Sequence, residues 1–163
     1  MNKFEDHELE FVCEIESPLD DVWKQWTTEE GLISFFAEEV RFTLEIGGPF
    51  EMLFDPDQPE GLKGGEGLVF LAIEEKKMLS FTWSSPPRFP EIRKQRTVVI
   101  VTFESTGENQ TLVRLQNVGY GFGNEWQESL KYFRHAWGNL VLPRLKYSLE
   151  TGPVDWNDLP DLG

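Results

Sequence analysis

The 163-residue chain has very little of the chemistry from which metal and thiol sites are built. It contains one cysteine, Cys13, and two histidines, His7 and His135. A lone cysteine excludes a disulfide within the chain and is typical of proteins from a reducing compartment. Zinc sites need several clustered Cys or His side chains, and this sequence shows no such spacing. We therefore expect no metal and no cofactor.

Positive charge and long apolar runs are scarce as well. Fifteen Lys and Arg stand against 29 Asp and Glu, which gives a formal net charge of −14 at pH 7. Such a surface repels phosphate backbones and anionic lipid, so nucleic-acid and membrane partners are not expected. The sequence contains no run of about 18 apolar residues, so no transmembrane helix is predicted. The acidic segment 1–7 lacks the apolar core of a signal peptide, so a cytoplasmic protein is expected.

Aromatic residues, in contrast, are abundant. They make up 13% of the chain, and a chain of this length buries roughly 70% of its unfolded surface. We therefore expect a single domain over residues 1–163, with its core at about 8–152 and a loosely packed C-terminal extension at 153–163.

The segment 124–150 predicts a long helix with an aromatic face. Its apolar residues recur every three or four positions, which is the period of one helix face. Asn124 is expected as the N-cap, and Pro143 is expected to kink or split the last turns because it lacks an N–H donor. This face needs a large apolar partner surface, and its residues are Trp126, Leu130, Phe133, Trp137, Leu140 and Val141.

The first third of the chain predicts one strand and two short helices. Residues 8–16 alternate loosely between apolar and polar side chains, as in a strand. Ser17 and Pro18 then favour the start of a helix, with Ser17 as the N-cap. Either Thr27 or Thr28 is expected to cap the second helix.

Residues 39–118 alternate with a period of two, which predicts about six further strands. One strand is expected to continue as far as Ile46, and another to turn Leu71 inward. Gly- and Pro-rich stretches at 55–66 and 85–94 predict two long loops. Because the links between strands are short, antiparallel pairing is expected. The predicted fold class is α+β, with an antiparallel sheet of about six to seven strands wrapped around the long C-terminal helix.

Five stretches carry a resemblance to a known superfamily. They lie at 17–23, 30–36, 46–50, 79–83 and 135–149, and include Ser-Pro-Leu-Asp-Asp-Val-Trp, Ile-Gly-Gly-Pro-Phe and Leu-Ser-Phe-Thr-Trp. In this order they resemble the START-like or SRPBCC superfamily, and within it the family named for activators of the heat-shock protein 90 ATPase. The resemblance covers roughly residues 8–152. It implies the helix-grip fold, in which an antiparallel sheet wraps around a C-terminal helix with a cavity between them.

The large aromatic side chains are the candidate cavity lining. Each of them could instead simply fill the core, since rings contribute much of the buried area in any core. Asn117 shares a strand face with apolar neighbours, so its amide is expected to bind either a ligand or another protein group. The candidate ligand-binding residues are Trp26, Phe36, Trp83, Asn117, Trp126, Phe133 and Trp137.

The sequence therefore predicts binding of a small hydrophobic or amphipathic molecule between the sheet and the C-terminal helix, without defined catalysis. The first alternative is a protein-interaction module, associated with a chaperone as the resemblance implies. A cyclase or hydrolase that uses the same cavity is the second alternative, although no catalytic residue stands out. The oligomeric state, monomer or homodimer, stays open.

Overall fold

The computed structural model describes residues 7–162. Residues 1–6, on which the expectation of a cytoplasmic protein partly rests, lie outside the described residues. In chain order the elements are β1 (Leu9–Ile15), α1 (Leu19–Thr27), α2 (Glu29–Ile33), β2 (Glu39–Phe42), β3 (Phe50–Leu53), β4 (Gly64–Gly65), β5 (Phe70–Glu74), β6 (Met78–Trp83), α3 (Pro90–Arg93), β7 (Thr97–Gly107), β8 (Gln110–Val118), α4 (Asn124–His135), a π-helical segment (Ala136–Val141) and α5 (Leu142–Glu150).

The strands form two antiparallel sheets instead of the one that was predicted. The larger has the order β1-β8-β7-β6-β5, and the smaller has the order β2-β3-β4. A bridge between Pro49 and Val69 links them, together with hydrogen bonds between Phe70 and the 47–48 turn. The α+β class, the antiparallel pairing and the long C-terminal helix of the helix-grip fold are confirmed.

Two strand predictions were wrong in detail. Strand β2 ends at Phe42, so that Leu44 and Ile46 lie in the following turn and are 42% and 64% exposed. In β5 the inward residue is Phe70, while Leu71 is 44% exposed. A register shift within β5 reverses the alternation that the apolar pattern predicts there.

The first residues of the two short helices test the predicted caps, of which one was wrong and one is confirmed. Helix α1 starts at Leu19 with Pro18 as its N-cap residue, so Ser17 lies one position too early to be the cap. Helix α2 is capped as predicted: the Gly31 N–H donates to Thr28 Oγ1 at 3.0 Å.

The C-terminal helix is continuous but changes its winding. The π-helical segment lies between α4 and α5 and ends at Val141, two residues before Pro143. Helix α5 runs through Pro143, so the predicted split does not occur at this proline. Asn124 was predicted as the N-cap, but it is the first helical residue. The preceding Gly123 has the cap position and a φ of 113°. Within the π-helical segment, a Cβ atom at Gly138 would lie 2.8 Å from the Phe11 ring, so glycine permits close contact with β1.

One buried amide ties this helix to the sheet. Asn117 is fully buried in β8. Its Nδ2 donates to Thr97 Oγ1 and to the Val98 carbonyl, both at 3.1 Å. Its Oδ1 accepts from the Tyr120 hydroxyl at 2.5 Å and from Trp137 Nε1 at 3.1 Å. All four hydrogen-bonding positions of the amide are thus satisfied by protein.

The C-terminal extension is docked, which corrects the prediction that it packs loosely. Val154 is buried and its N–H donates to the Ser34 carbonyl at 2.9 Å. Trp156 Nε1 donates to the Ile33 carbonyl at 2.7 Å. These contacts hold the extension against the end of α2.

The described residues 7–162 contain neither a membrane-spanning helix nor a cluster of metal ligands. None of their helices is both long and apolar enough to traverse a bilayer. Across the same residues, no three or more His, Cys, Asp or Glu side chains come together in a group that could hold a metal ion.

Gly31 is a position where the fold leaves no room for a side chain. A Cβ atom there would lie 2.5 Å from Gln25 Cα and 2.6 Å from the Lys24 carbonyl oxygen. We expect Gly31→Ala to lower the free energy of unfolding by about 1–3 kcal/mol, as overpacking does, although alanine is intrinsically the better helix former by about 1 kcal/mol. Gly152→Ala is the matched control, since a Cβ atom at Gly152 would meet no other atom within 4 Å. Urea unfolding measures both, and equal stability of the two variants would contradict the packing.

Because Tyr120 is buried, we expect the free energy of unfolding to decrease at alkaline pH. Burial raises the pKa of its phenol, whereas an unfolded tyrosine ionises near about pH 10. Above that pH the folded chain retains a proton that the unfolded chain loses, so stability falls by up to about 1.4 kcal/mol per pH unit. We expect the stability advantage of the natural chain over Tyr120→Phe to shrink between about pH 10 and 11. Urea unfolding across this range measures it, and a constant difference would contradict the buried phenol.

Candidate functional site

Two adjoining cavities lie between the C-terminal helix and the ends of β3 and β6. We call the first the helix lobe; its volume is about 150 Å³. The second, the loop lobe, has a volume of about 210 Å³. The two lobes share Phe54, Trp83, Tyr132 and Phe133, so they lie side by side.

The helix lobe is almost entirely apolar, with one charged side chain, Arg144, in its lining. Its lining residues are Phe36, Phe54, Trp83, Tyr132, Phe133, Ala136, Trp137, Leu140, Val141 and Arg144.

The loop lobe is more polar and is formed largely by the two long loops that the sequence predicts. Besides the four shared residues, its lining residues are Asp55, Leu62, Lys63, Gly64, Gly65, Ser84, Ser85, Pro86, Pro87 and Arg93.

Four of the predicted ligand-binding residues come together at the helix lobe. Phe133 and Trp137 are four residues apart and lie on one face of the helix. Trp83 is the last residue of β6, and Phe36 follows α2. Ring centroids are 5.0 Å apart between Trp83 and Trp137, 5.7 Å between Phe36 and Trp137, and 6.0 Å between Trp83 and Phe133. Three separate segments thus converge on one aromatic enclosure.

The other three predicted residues line neither lobe. Trp26 is fully buried against Phe35, at a ring distance of 5.1 Å. Trp126 lies two helical turns before Phe133, about 10 Å further along the axis, and packs against Tyr120 instead. The Asn117 amide is already occupied by four protein partners. Periodicity correctly assigns these side chains to the interior, but it does not distinguish the core from the cavity.

Sequence reasoning missed the rim of the cavities. Phe54, Leu62 and Tyr132 are 45%, 48% and 42% exposed, respectively, and all three line the loop lobe. Phe54 continues the inward alternation of β3, which was a usable signal. Leu62 lies in an irregular loop, and Tyr132 is adjacent to the inward Phe133. The sequence therefore carried no signal that would place either residue at the rim.

Arg93, which was not among the predicted site residues, links the two long loops by hydrogen bonds. Its guanidinium donates to the carbonyls of Ser85 at 2.8 Å, Gly64 at 2.6 Å and Gly61 at 3.1 Å. Burial lowers the pKa of Arg93, and the Glu66 carboxylate, 3.7 Å away, opposes that shift. The mouth of the loop lobe is therefore held by a charged hydrogen-bond network.

One polar atom beside the cavities lacks a partner. Trp83 is 3% exposed, and its Nε1 donates to no acceptor in the part of the chain that the structure describes. An unpaired buried donor costs about 1–3 kcal/mol. Trp26 Nε1, which lies away from both lobes, likewise lacks a partner.

The lining offers little for acid–base chemistry. Asp55 is the carboxylate among the lining residues of the two lobes, and it is exposed. The buried Ser85 hydroxyl lies 2.8 Å from the Ser129 hydroxyl, not from a histidine or a carboxylate. The arrangement is suited to enclosing an apolar molecule.

Comparison with solved structures shows the same fold. An HSP90 activator from Plasmodium falciparum has a TM-score of 0.68 at 20% identity over 88% of this chain and 96% of its own. The Aha1 dimer from Colwellia psychrerythraea has a TM-score of 0.67 at 18% identity, over 89% and 97%. DynU16, from the dynemicin biosynthetic locus, has a TM-score of 0.65 at 18% identity over 90% of this chain. This chain spans only 48% of the length of DynU16.

Comparison with curated proteins finds no match. The family model described as activator of Hsp90 ATPase homolog 1-like protein matches residues 16–150. This range contains all of the lining residues of both lobes and the whole C-terminal helix. The chain therefore belongs to the family of activator of Hsp90 ATPase homolog 1-like proteins.

Proposed function

We propose that this protein binds a small hydrophobic or amphipathic molecule in the helix lobe. The observation that carries the proposal is the aromatic enclosure of Phe36, Trp83, Phe133 and Trp137 around a cavity of about 150 Å³. An apolar cavity of about 150 Å³ is large enough for a benzene-sized molecule.

The volumes of the two lobes limit the size of the ligand. Typical ligand sites measure about 300–1,000 Å³, whereas the lobes measure about 150 and 210 Å³. A molecule confined to the helix lobe has one ring or a short aliphatic chain. A longer one extends past Phe54 into the loop lobe, where polar groups line the wall.

The rim supports access to this site. Phe54 and Tyr132 line both lobes and are nearly half exposed. Exposed aromatic side chains around an apolar cavity are typical of a ligand-binding groove.

A substitution that fills the helix lobe with a side chain tests this proposal. Ala136 lines this lobe, so Ala136→Phe places a ring in the ligand's volume. We expect native mass spectrometry of the freshly purified protein, or calorimetric titration with phenol and 3-phenylpropanol, to detect binding that Ala136→Phe weakens at least tenfold. Ala72→Phe, in β5 and outside both lobes, is the matched control and retains binding. An unoccupied protein that none of these compounds binds, or equal binding by both variants, would overturn the proposal.

A second candidate function is docking of a protein partner at the rim. The specific observation is the exposure of Leu62, Phe54 and Tyr132 around one mouth on a chain of net charge −14. One structural neighbour is itself described as an HSP90 activator. Large exposed apolar groups with charged surroundings are typical of protein-interaction surfaces.

A direct chaperone assay tests this second candidate. If it holds, the protein raises the ATPase rate of purified heat-shock protein 90, and Leu62→Ser reduces the effect several-fold. Leu44→Ser, an equally exposed position outside both lobes, is the control and retains the effect. An unchanged ATPase rate together with no measurable complex at low salt would exclude this chaperone as the partner.

A further inference from the structure

Arg144 lines the helix lobe without any anionic partner among the described residues. It lies at the start of α5 and is partly buried. Within residues 7–162 its guanidinium forms no ion pair and donates no hydrogen bond, in a chain that carries 29 acidic residues. It contacts the ring of Trp156, whose centroid is 5.5 Å from Cζ.

Three other arginines do have polar partners, whereas Arg88, like Arg144, contacts only aromatic rings among the described residues. Arg41 pairs with Glu60 at 2.9 Å, Arg114 pairs with Glu10, and Arg93 bonds to three carbonyls. A guanidinium has five N–H donors, and taking it out of water without partners is costly. Burial lowers the pKa of Arg144, and no carboxylate of residues 7–162 opposes that shift. The edge of the lobe therefore carries a cation that forms no ion pair within residues 7–162.

The contact with Trp156 holds this cation in place. Trp156 is itself fixed by its hydrogen bond to the Ile33 carbonyl, and a ring face attracts a guanidinium. A pre-positioned side chain loses less conformational entropy when it binds a ligand. The docked C-terminal extension thus orients Arg144 beside the lobe.

We propose that the ligand of the helix lobe is a monocarboxylate with an aromatic ring or a short aliphatic chain. Its apolar part lies among Phe36, Trp83, Phe133 and Trp137, and its carboxylate pairs with Arg144. The inference rests on the proposed function of the helix lobe. A guanidinium matches a carboxylate with two parallel hydrogen bonds. Because Arg144 is the one charged residue in the lining of this lobe, it balances a single negative charge.

The test compares acids with their neutral amides. Calorimetric titration at pH 7.5 uses the ω-phenylalkanoates from benzoate to 6-phenylhexanoate, together with the corresponding amides. We expect at least one acid to bind about ten to one hundred times more tightly than its amide, the range of a charge-assisted hydrogen bond. Arg144→Gln is expected to abolish this preference while amide affinity stays within twofold, and Arg144→Lys to retain part of it.

Arg134→Gln is the matched control, because Arg134 is exposed on α4 and outside both lobes. This variant removes the same charge and is expected to retain the full preference for the acid. Amides that bind as tightly as acids, or an acid preference that survives Arg144→Gln, would overturn the carboxylate assignment while the helix lobe remains a binding site. Binding of neither acids nor amides, with no occupant in the native mass spectrum, would overturn both proposals.

Discussion

The buried amide of Asn117 is the interaction on which the rest of this structure depends. It joins β8, β7, the turn at Tyr120 and the π-helical segment through four hydrogen bonds. Because every donor and acceptor of the amide is used, the distance and orientation between the sheet and Trp137 are fixed. The ring of Trp137 is in turn one wall of the helix lobe. A structural hydrogen bond thus determines the shape of the candidate binding site.

The π-helical winding of residues 136–141 is the second constraint. It lies where Gly138 approaches the Phe11 ring and where the helix must still place Phe133 and Trp137 on the lobe. Extra backbone per turn changes which side chains face the sheet, and such segments are frequent at functional sites. The same winding leads into α5, whose Arg144 supplies the one charge at the edge of the lobe. This one helix therefore supplies Phe133, Trp137 and Arg144 to the lining of the lobe.

Much of the fold could be predicted from the sequence because its strongest signals are periodic. The helix at 124–150, the strand that ends at Trp83 and the cap at Thr28 follow from local patterns. Leu44, Ile46 and Leu71 were misplaced because tight turns and a register shift depend on pairing with distant strands. At the site, the rings at 36, 83, 133 and 137 were predicted to line a cavity, and they do converge on the helix lobe. Arg93 and Arg144 were missed, since the importance of each lies in contacts between segments far apart in sequence.

The most direct test of this account is a crystal structure of the protein soaked with bromobenzene, with the bromine located by its anomalous scattering. Bromobenzene is close in size to what an apolar cavity of about 150 Å³ accommodates. The account predicts a bromine peak in the helix lobe, between Trp83 and Trp137, with the Asn117 hydrogen bonds intact. A lobe closed by its own side chains, with bromine absent or only on the surface, would contradict it.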